Sequence, residues 1–220
     1  MRKFQLFIKR AFDIVVSLIL IILLTVIPFL IVIPIVIKLT SRGPAVFKQE
    51  RVGRGGKVFK IYKFRTMKLP EDCLDENGIP LPPKQRITKV GRFLRKTSLD
   101  ELMQLFNVLN GTMSIIGPRP TLPAQVEKYS DYHKRRHDMR PGVTGWAQVN
   151  GRNNINWSQK IDLDIEYITK FSLWMDIKIL FKTVGVVFKS DGIEFRDGDS
   201  VLQPVGEDKA KTEATVGGKE

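Results

Sequence analysis

From Ile14 to Ile37 the sequence reads "IVVSLILIILLTVIPFLIVIPIVI", an apolar run without a single charge. The core of a bilayer takes about 20 apolar helical residues, so the run is long enough to cross one. A cleaved signal peptide has an apolar core of only about 7–15 residues, and a buried soluble helix of this length and uniformity is the weaker reading. Pro28 lies near the middle of the run and Pro34 follows it. Each lacks a backbone N–H and clashes with the preceding turn. Both flanks are basic: Arg2, Lys3, Lys9 and Arg10 before, and Lys38, Arg42, Lys48 and Arg51 after. Basic flanks favour the cytoplasmic side. A straight span sets one flank on the wrong side, whereas a helix broken at Pro28 enters and leaves by one face. A Pro-kinked span is the alternative, because membrane helices tolerate proline. Residue chemistry leaves the two even.

Downstream the periodicity changes. "AVFKQE" and "KVFKIYKF" alternate on either side of "RVGRGG", which predicts a strand pair joined by a glycine turn. A phosphate-cradling loop would need the Gly-Lys-Ser/Thr ending that is missing here. "KLPEDCLDENGIPLPPKQ" reads as a surface loop. "TKVGRFLRKTS" reads as a basic helix, and the apolar spacing after "SLDEL" as another. Glycines and prolines in "GTMSIIGPRPTLP" exclude a long helix there, and residues 124–138 read as a polar helix. From Asp162 to Lys189 a helical period returns, with Ile177, Leu180, Phe181, Val184, Val187 and Phe188 on one stripe. That stripe faces a core, the commoner case, or lies in a membrane interface. The tail from Phe195 is polar and reads as disordered.

Composition narrows the partners. Lys and Arg exceed Asp and Glu by 13 in 220 residues, which suits an anionic partner. Cys73 is the single cysteine, so no intrachain disulfide forms and a cysteine zinc site is excluded in practice. His133 and His137 are spaced as a metal pair on a helix, but no HExxH surrounds them and their neighbours are Lys134, Arg135 and Arg136. A surface helix is the better account of them.

The acids Asp100 and Glu101 pose the sharper question. Ser98-x-x-Glu101 has the form of a capping box that starts a helix. The same pair has the form of a site in which one carboxylate attacks phosphorus and the other holds a metal. Adjacent helical residues diverge by about 100°, so the two carboxylates can serve different partners. Phosphate chemistry also needs fixed bases. Candidates are Lys63 and Arg65 in "YKFRTM", Arg95 ahead of the acids, Arg119 held between prolines in "GPRP", and Arg152 after the Asn150-Gly151 turn. Taken singly, each is as well read as a solvated charge, with Arg119 the exception because its backbone is stiffened on both sides.

"KRAFDIVVSLI", "FKQERVG", "FKIYKFRTM", "TSLDELMQLFNVLNGTMSIIGPRP" and "RHDMRPGVTGWAQVNGR" occur in that order and are followed by an amphipathic helix. Over roughly residues 1–190 the chain resembles the bacterial sugar transferases, specifically the small monotopic phosphoglycosyl transferases. The resemblance implies transfer of a sugar-1-phosphate from a UDP-sugar to polyprenyl (undecaprenyl) phosphate, with UMP released through an aspartyl-phosphosugar intermediate. It implies Asp100 as nucleophile, Glu101 as a Mg²⁺ ligand, and Lys63, Arg95, Arg119 and Arg152 as substrate-binding bases. It tips the membrane segment towards a reentrant helix broken at Pro28, although the Ser-Pro pair common at such breaks is Ile27-Pro28 here. The expected architecture is α/β, mainly α with a short β-hairpin, in a monotopic membrane protein with amphipathic interfacial helices. A membrane unit over 1–40, a catalytic domain over 41–194 and a tail over 195–220 follow. So does a bacterial cytoplasmic-membrane location, with membrane phospholipid as a further partner. Two rivals remain: a non-catalytic adaptor that binds anionic lipid, and a nucleic-acid binder, for which no recognised motif is present.

Overall fold

A computed structural model describes residues 2–151 and 155–188. Arg152, the tail over 195–220 and the side chains of Val187 and Phe188 lie outside it. The apolar run forms two helices, α1 (Arg2–Val26) and α2 (Phe29–Thr40), interrupted at Ile27 and Pro28 and bent by 60°. Pro28 has no N–H for the Leu24 carbonyl, and α2 restarts with Ile31 and Val32 N–H groups on the Pro28 carbonyl. Pro34 stays inside α2. Among the described residues no single helix is long and apolar enough to cross a membrane, but the bent pair together is.

The predicted hairpin follows. β1 (Val46–Val52) pairs antiparallel with β2 (Val58–Phe64), from Val46 opposite Phe64 to Val52 opposite Val58. Its turn uses Gly55 and Gly56 at φ 65° and 76°, a region that costs glycine little. Then come α3 (Lys89–Lys96), α4 (Gln104–Leu109), β3 (Ser114–Ile116), two short turns of helix α5 (Pro123–Val126) and α6 (Asp131–Lys134), β4 (Gly142–Thr144), α7 (Trp146–Asn150), α8 (Trp157–Thr169) and α9 (Leu173–Phe188). The fold is mainly helical. β3 and β4 form a small parallel pair that periodicity did not predict. A Cβ on Gly142 would lie 2.0 Å from the Gly117 nitrogen, so only glycine permits that approach.

Two expected helices are subdivided. The stretch 124–138 breaks at Ser130, whose hydroxyl accepts from the His133 N–H and starts a new turn. His137 there is buried, stacked on Tyr129, rather than on a surface helix, and its imidazole is pushed down to about 4 by burial and then by Arg136. The stretch from Asp162 breaks before Leu173, where the Ser172 hydroxyl accepts from the Met175 N–H.

Polarity in α1 is reversed. Lys9, Asp13 and Ser17, one face at four-residue spacing, are buried, while Phe4, Phe7, Phe12, Val15 and Ile19 are exposed. Soluble helices bury the apolar stripe instead. The inward groups are partnered. Lys9 Nζ donates to Asp176 Oδ2 (2.8 Å), and the Tyr167 hydroxyl donates to Oδ1 of the same carboxylate (2.7 Å). Asp13 Oδ1 accepts from the Ile115 N–H (3.0 Å). Arg10 donates to the carbonyls of Val108 and Leu109, and Arg2 to that of Ile168, so both cations meet helix C-termini. Three of the four bases of the N-terminal flank are thus engaged with the body of the protein.

Asp176 also orients α9 and splits its stripe, with Leu180 packed on the buried cluster of Ile116, Tyr167 and Ile179. With Asp176 and Ile179 turned inward, Ile177 (41% exposed), Phe181 (76%) and Val184 (55%) face out, as does Trp174. Lys178 and Lys182 lie 5.5 and 4.8 Å from the Trp146 ring centre.

A second buried ion pair braces the "GPRP" loop. Arg136 donates to Asp164, to the Tyr129 hydroxyl (2.7 Å) and to the Arg119 carbonyl (3.0 Å). Burial pushes the Asp164 carboxyl up to about 6 although Arg136 pulls it down. Arg136→Ala strands that carboxylate, and removal of one partner of a buried pair costs about 3–5 kcal/mol. Because the folded state then favours the protonated acid, the loss is fullest at neutral pH and shrinks as pH falls towards 5. Thermal unfolding in detergent at pH 7.5 and pH 5 reads both effects; a deficit that grew on acidification would contradict them.

Candidate active site

Asp100 and Glu101 sit on a single 3₁₀ turn, Leu99–Glu101, between α3 and α4. Leu99, Leu102 and Met103 pack into a cluster with Ile33 and Ile37 of α2, Ala45, Phe64 and Leu94, so the turn rests on α2 and the end of the hairpin. Ser98 enters the turn at φ 57°, a left-handed backbone that L-residues other than Asn and Asp rarely adopt. Strain of this kind gathers at functional sites.

The capping box does not form. Ser98 makes no side-chain cap bond. Glu101 Oε1 accepts from Lys63 Nζ (2.7 Å) and from Arg119 Nη2 (3.1 Å) instead of reaching back. Charge-assisted bonds are about twice as strong as neutral ones, which decides the competition.

The hairpin presents Lys63 from its second strand. Arg119 extends from the proline-flanked loop, half exposed, with its carbonyl tied to Arg136. Arg95, on α3, donates from Nε to the Thr66 hydroxyl (2.7 Å), and its charge acts on Asp100. Lys63, Arg95 and Arg119 are therefore gathered about the acid pair; Arg152 lies outside the described residues. Arg65 is turned away, donating to the Ser41 carbonyl and hydroxyl at the end of α2 (2.9 and 2.8 Å).

Sequence reasoning took Arg51 only as a membrane flank. It belongs to this group: its guanidinium donates to Gln49 Oε1 (2.6 Å), and burial, then Arg119, hold it down to about 10 against the pull of Glu101. The signal was present in the strand period. Arg51 pairs with Phe59, and Phe59 and Lys63 point the same way on β2, so Arg51 and Lys63 share a face of the hairpin. Using it required the register, which the turn sets.

The two carboxyls differ. Burial and then the neighbouring Glu101 raise Asp100 above the usual aspartate range, against Lys63, Arg95 and Arg119. Burial acts to raise Glu101 too, but Arg119 and Lys63 overcome it and bring the group down to about 2. A pair of carboxyls driven apart in this way divides its roles between a more basic group and a permanent anion. Among the described residues no three His, Cys, Asp or Glu gather as a metal cage. The donor set does fit a hard cation such as Mg²⁺, which takes one or two carboxylates and completes its shell with phosphate oxygens and water.

Comparison with known proteins agrees with this chemistry. Residues 4–190 match the bacterial sugar transferase family. An uncharacterized sugar transferase, EpsL, of Bacillus subtilis (strain 168) is 45% identical over 186 residues, covering 84% of this chain and 90% of that protein. The UDP-glucose:undecaprenyl-phosphate glucose-1-phosphate transferase of Escherichia coli (strain K12) is 46% identical over 185 residues, 80% of this chain but 39% of its own length. The undecaprenyl-phosphate galactose phosphotransferase of Salmonella typhimurium (strain LT2) is 42% identical over 205 residues, 84% of this chain and 41% of its own length. The chain thus spans about two fifths of these last two relatives. With its matched segment running from the first turn of α1 to the end of α9 and containing the acid pair and the described bases around it, the chain belongs to the bacterial sugar transferase family.

Proposed function

We propose that the chain transfers a sugar-1-phosphate from a UDP-sugar to polyprenyl (undecaprenyl) phosphate, giving polyprenyl-diphosphate-sugar and UMP. The observation that carries this reading is the convergence of Lys63, Arg119, Arg95 and Arg51 on two adjacent carboxylates of opposed proton affinity. The activity that names the Escherichia coli relative, on UDP-glucose and undecaprenyl phosphate, supports the same substrate classes.

In the proposed reaction an Asp100 carboxylate oxygen attacks the β-phosphorus of the UDP-sugar. The bond from that phosphorus to the bridging oxygen breaks, and UMP leaves with the electron pair. An oxygen of polyprenyl phosphate then attacks the same phosphorus and releases Asp100. The raised affinity of Asp100 for a proton goes with greater nucleophilicity. Glu101 keeps Lys63 and Arg119 gathered beside Asp100, so cationic donors for the diphosphate are assembled before it binds. Mg²⁺, held by Glu101, would offset the negative charge of the phosphates.

The membrane arrangement belongs to the same proposal. The reversed polarity of α1, the 60° bend at Pro28 and the exposed apolar residues of α9 support a reentrant helix over 1–40, with α9 as an interfacial helix. The catalytic domain, 41–194, then lies on the cytoplasmic face of the bacterial inner membrane.

Asp100→Asn is expected to abolish UMP release while holding or raising the melting temperature. A carboxyl whose folded pKa is raised favours folding when protonated and opposes it as pH rises through that value. The neutral amide removes the opposition. In metal-free buffer the stability advantage of the variant should widen from pH 4 upward; a variant that still forms a phosphosugar adduct would sink the nucleophile assignment.

Chelator should stop turnover, with Mg²⁺ restoring it. Glu101→Gln should lower both the rate and the response to Mg²⁺ in a UMP-release assay. Full activity in chelator rules the metal role out.

Membrane topology is open to thiol labelling, since Lys3 and Thr40 are both exposed in the fold and Cys73 is buried. In a Cys73→Ala background, Lys3→Cys and Thr40→Cys should both resist a membrane-impermeant reagent in intact cells and both react once cells are opened. Labelling of the Lys3→Cys protein alone in intact cells means a true span. Pro28→Ala should move part of the population to that spanning state and lower activity.

A further inference from the structure

A cleft on the inner side of α1 takes no part in the reaction described above. It is lined by Arg10 of α1, Arg54 of the hairpin turn, Arg140 ahead of β4, Asp13, Ser114 and Asp138, and none of the residues around the acid pair. Three guanidiniums from separate parts of the chain meet two carboxylates there. One of these, Asp13, already accepts the Ile115 N–H. Arg10 is tied to the last carbonyls of α4, and Arg140 Nε donates to the Gly111 carbonyl (2.9 Å), which leaves the Arg140 guanidinium four further donor hydrogens. Burial, and then the charges of Arg10 and Arg54, weaken the hold of Arg140 on its proton, so the three cations act on one another. Ser114 is among the residues lining the same cleft. It is 1% exposed and its Oγ has no hydrogen-bond partner. Buried hydroxyls without partners are uncommon and each asks for a ligand or an explanation.

We propose that this cleft binds the phosphate group of an anionic membrane phospholipid. Guanidinium groups suit phosphate because their paired N–H donors match two of its oxygens. The depth suits a headgroup: Arg10 stands one helical turn ahead of Ile14, where the uncharged run begins, and lies along the sequence between Phe7 and Phe12, whose rings are exposed. The proposal rests on the membrane reading of α1 and is independent of the reaction assigned to Asp100. A lipid bound there fastens α1 at the level where it enters the apolar phase.

Native mass spectrometry of the full chain in detergent tests it, with dioleoylphosphatidylglycerol as the probe, dioleoylphosphatidylcholine as the neutral-headgroup control and inorganic phosphate as the soluble competitor. The wild type should retain one phosphatidylglycerol in preference to phosphatidylcholine. Arg54→Gln, at an exposed turn, should weaken retention about fivefold, the effect of one cation near an anionic lipid surface. Ser114→Ala should also weaken it with an unchanged melting temperature; an orphan hydroxyl of purely structural origin would leave lipid retention unmoved. Both variants should keep wild-type UMP release, which separates the lipid site from the catalytic proposal. Equal retention by wild type and both variants overturns the site. Displacement of the lipid by millimolar inorganic phosphate assigns the cleft to free phosphate and overturns the lipid. Release of the wild type from membranes by alkaline carbonate overturns the membrane reading itself, and the lipid proposal with it.

Discussion

Lys9 and Asp176 lie 2.8 Å apart with side chains only 7% and 10% exposed, and the Tyr167 hydroxyl closes on the second carboxylate oxygen. Charges removed from water in this way must be matched, because the uncompensated partner costs several kcal/mol. The contact therefore fixes the rotation of two helices at opposite ends of the chain. With Lys9, Asp13 and Ser17 held inward, the phenylalanines and aliphatic residues of α1 have nowhere to go but out. With Asp176 held inward, Ile177, about 100° further round the helix, and Phe181 and Val184 beyond it, go out as well. One polar constraint thus produces both exposed apolar faces. Burying polar and exposing apolar groups is unfavourable in water and favourable against lipid, which is the physical basis of the membrane proposal.

α2 supports the acid pair. It leaves the bend at Pro28 and packs Ile33 and Ile37 against Phe64 and Leu94, and the leucines on either side of the two acids, Leu99 and Leu102, close that cluster. Asp100 and Glu101 are therefore carried on a turn whose apolar neighbours touch α2, directly after the bend at Pro28.

Within the site, charge is divided rather than neutralised. Glu101 absorbs two cations and is brought down to about 2, while Asp100, beside it and without a direct ion pair of that kind among the described residues, is left the more basic group. Arg119 reaches Glu101 from a loop that is stiffened by Pro118 and Pro120 and bonded through its own carbonyl to the buried Arg136–Asp164 pair. A half-exposed arginine is kept in position by a fully buried one. The buried pair leaves Asp164 Oδ1 without a hydrogen-bond partner, so its contribution lies more in fixing that loop than in stability.

Local rules in the sequence determined the elements whose cause is local: the charge-free run, its interruption by Pro28, the glycine-turned hairpin, and the adjacency of two acids ahead of an apolar helix. Each follows from nearest-neighbour sterics or from a period of two or 3.6. Motifs in order, more than any single residue, carried the family. Tertiary structure decided the rest. Ser98 and Glu101 have the spacing of a capping box, yet Lys63 and Arg119, distant in sequence, compete for the carboxylate and win. The α9 stripe has the period of a core helix, yet a buried ion pair to Lys9 turns Ile177, Phe181 and Val184 outward and leaves Leu180 packed inside, because the energy of one desolvated charge outweighs the apolar preference of several exposed side chains. Arg51 looked like a flank until the strand register set it on the same face of the hairpin as Lys63. In the first two cases the deciding term is electrostatic and long-range in sequence, and periodicity has no access to it; for Arg51 it is the hairpin register.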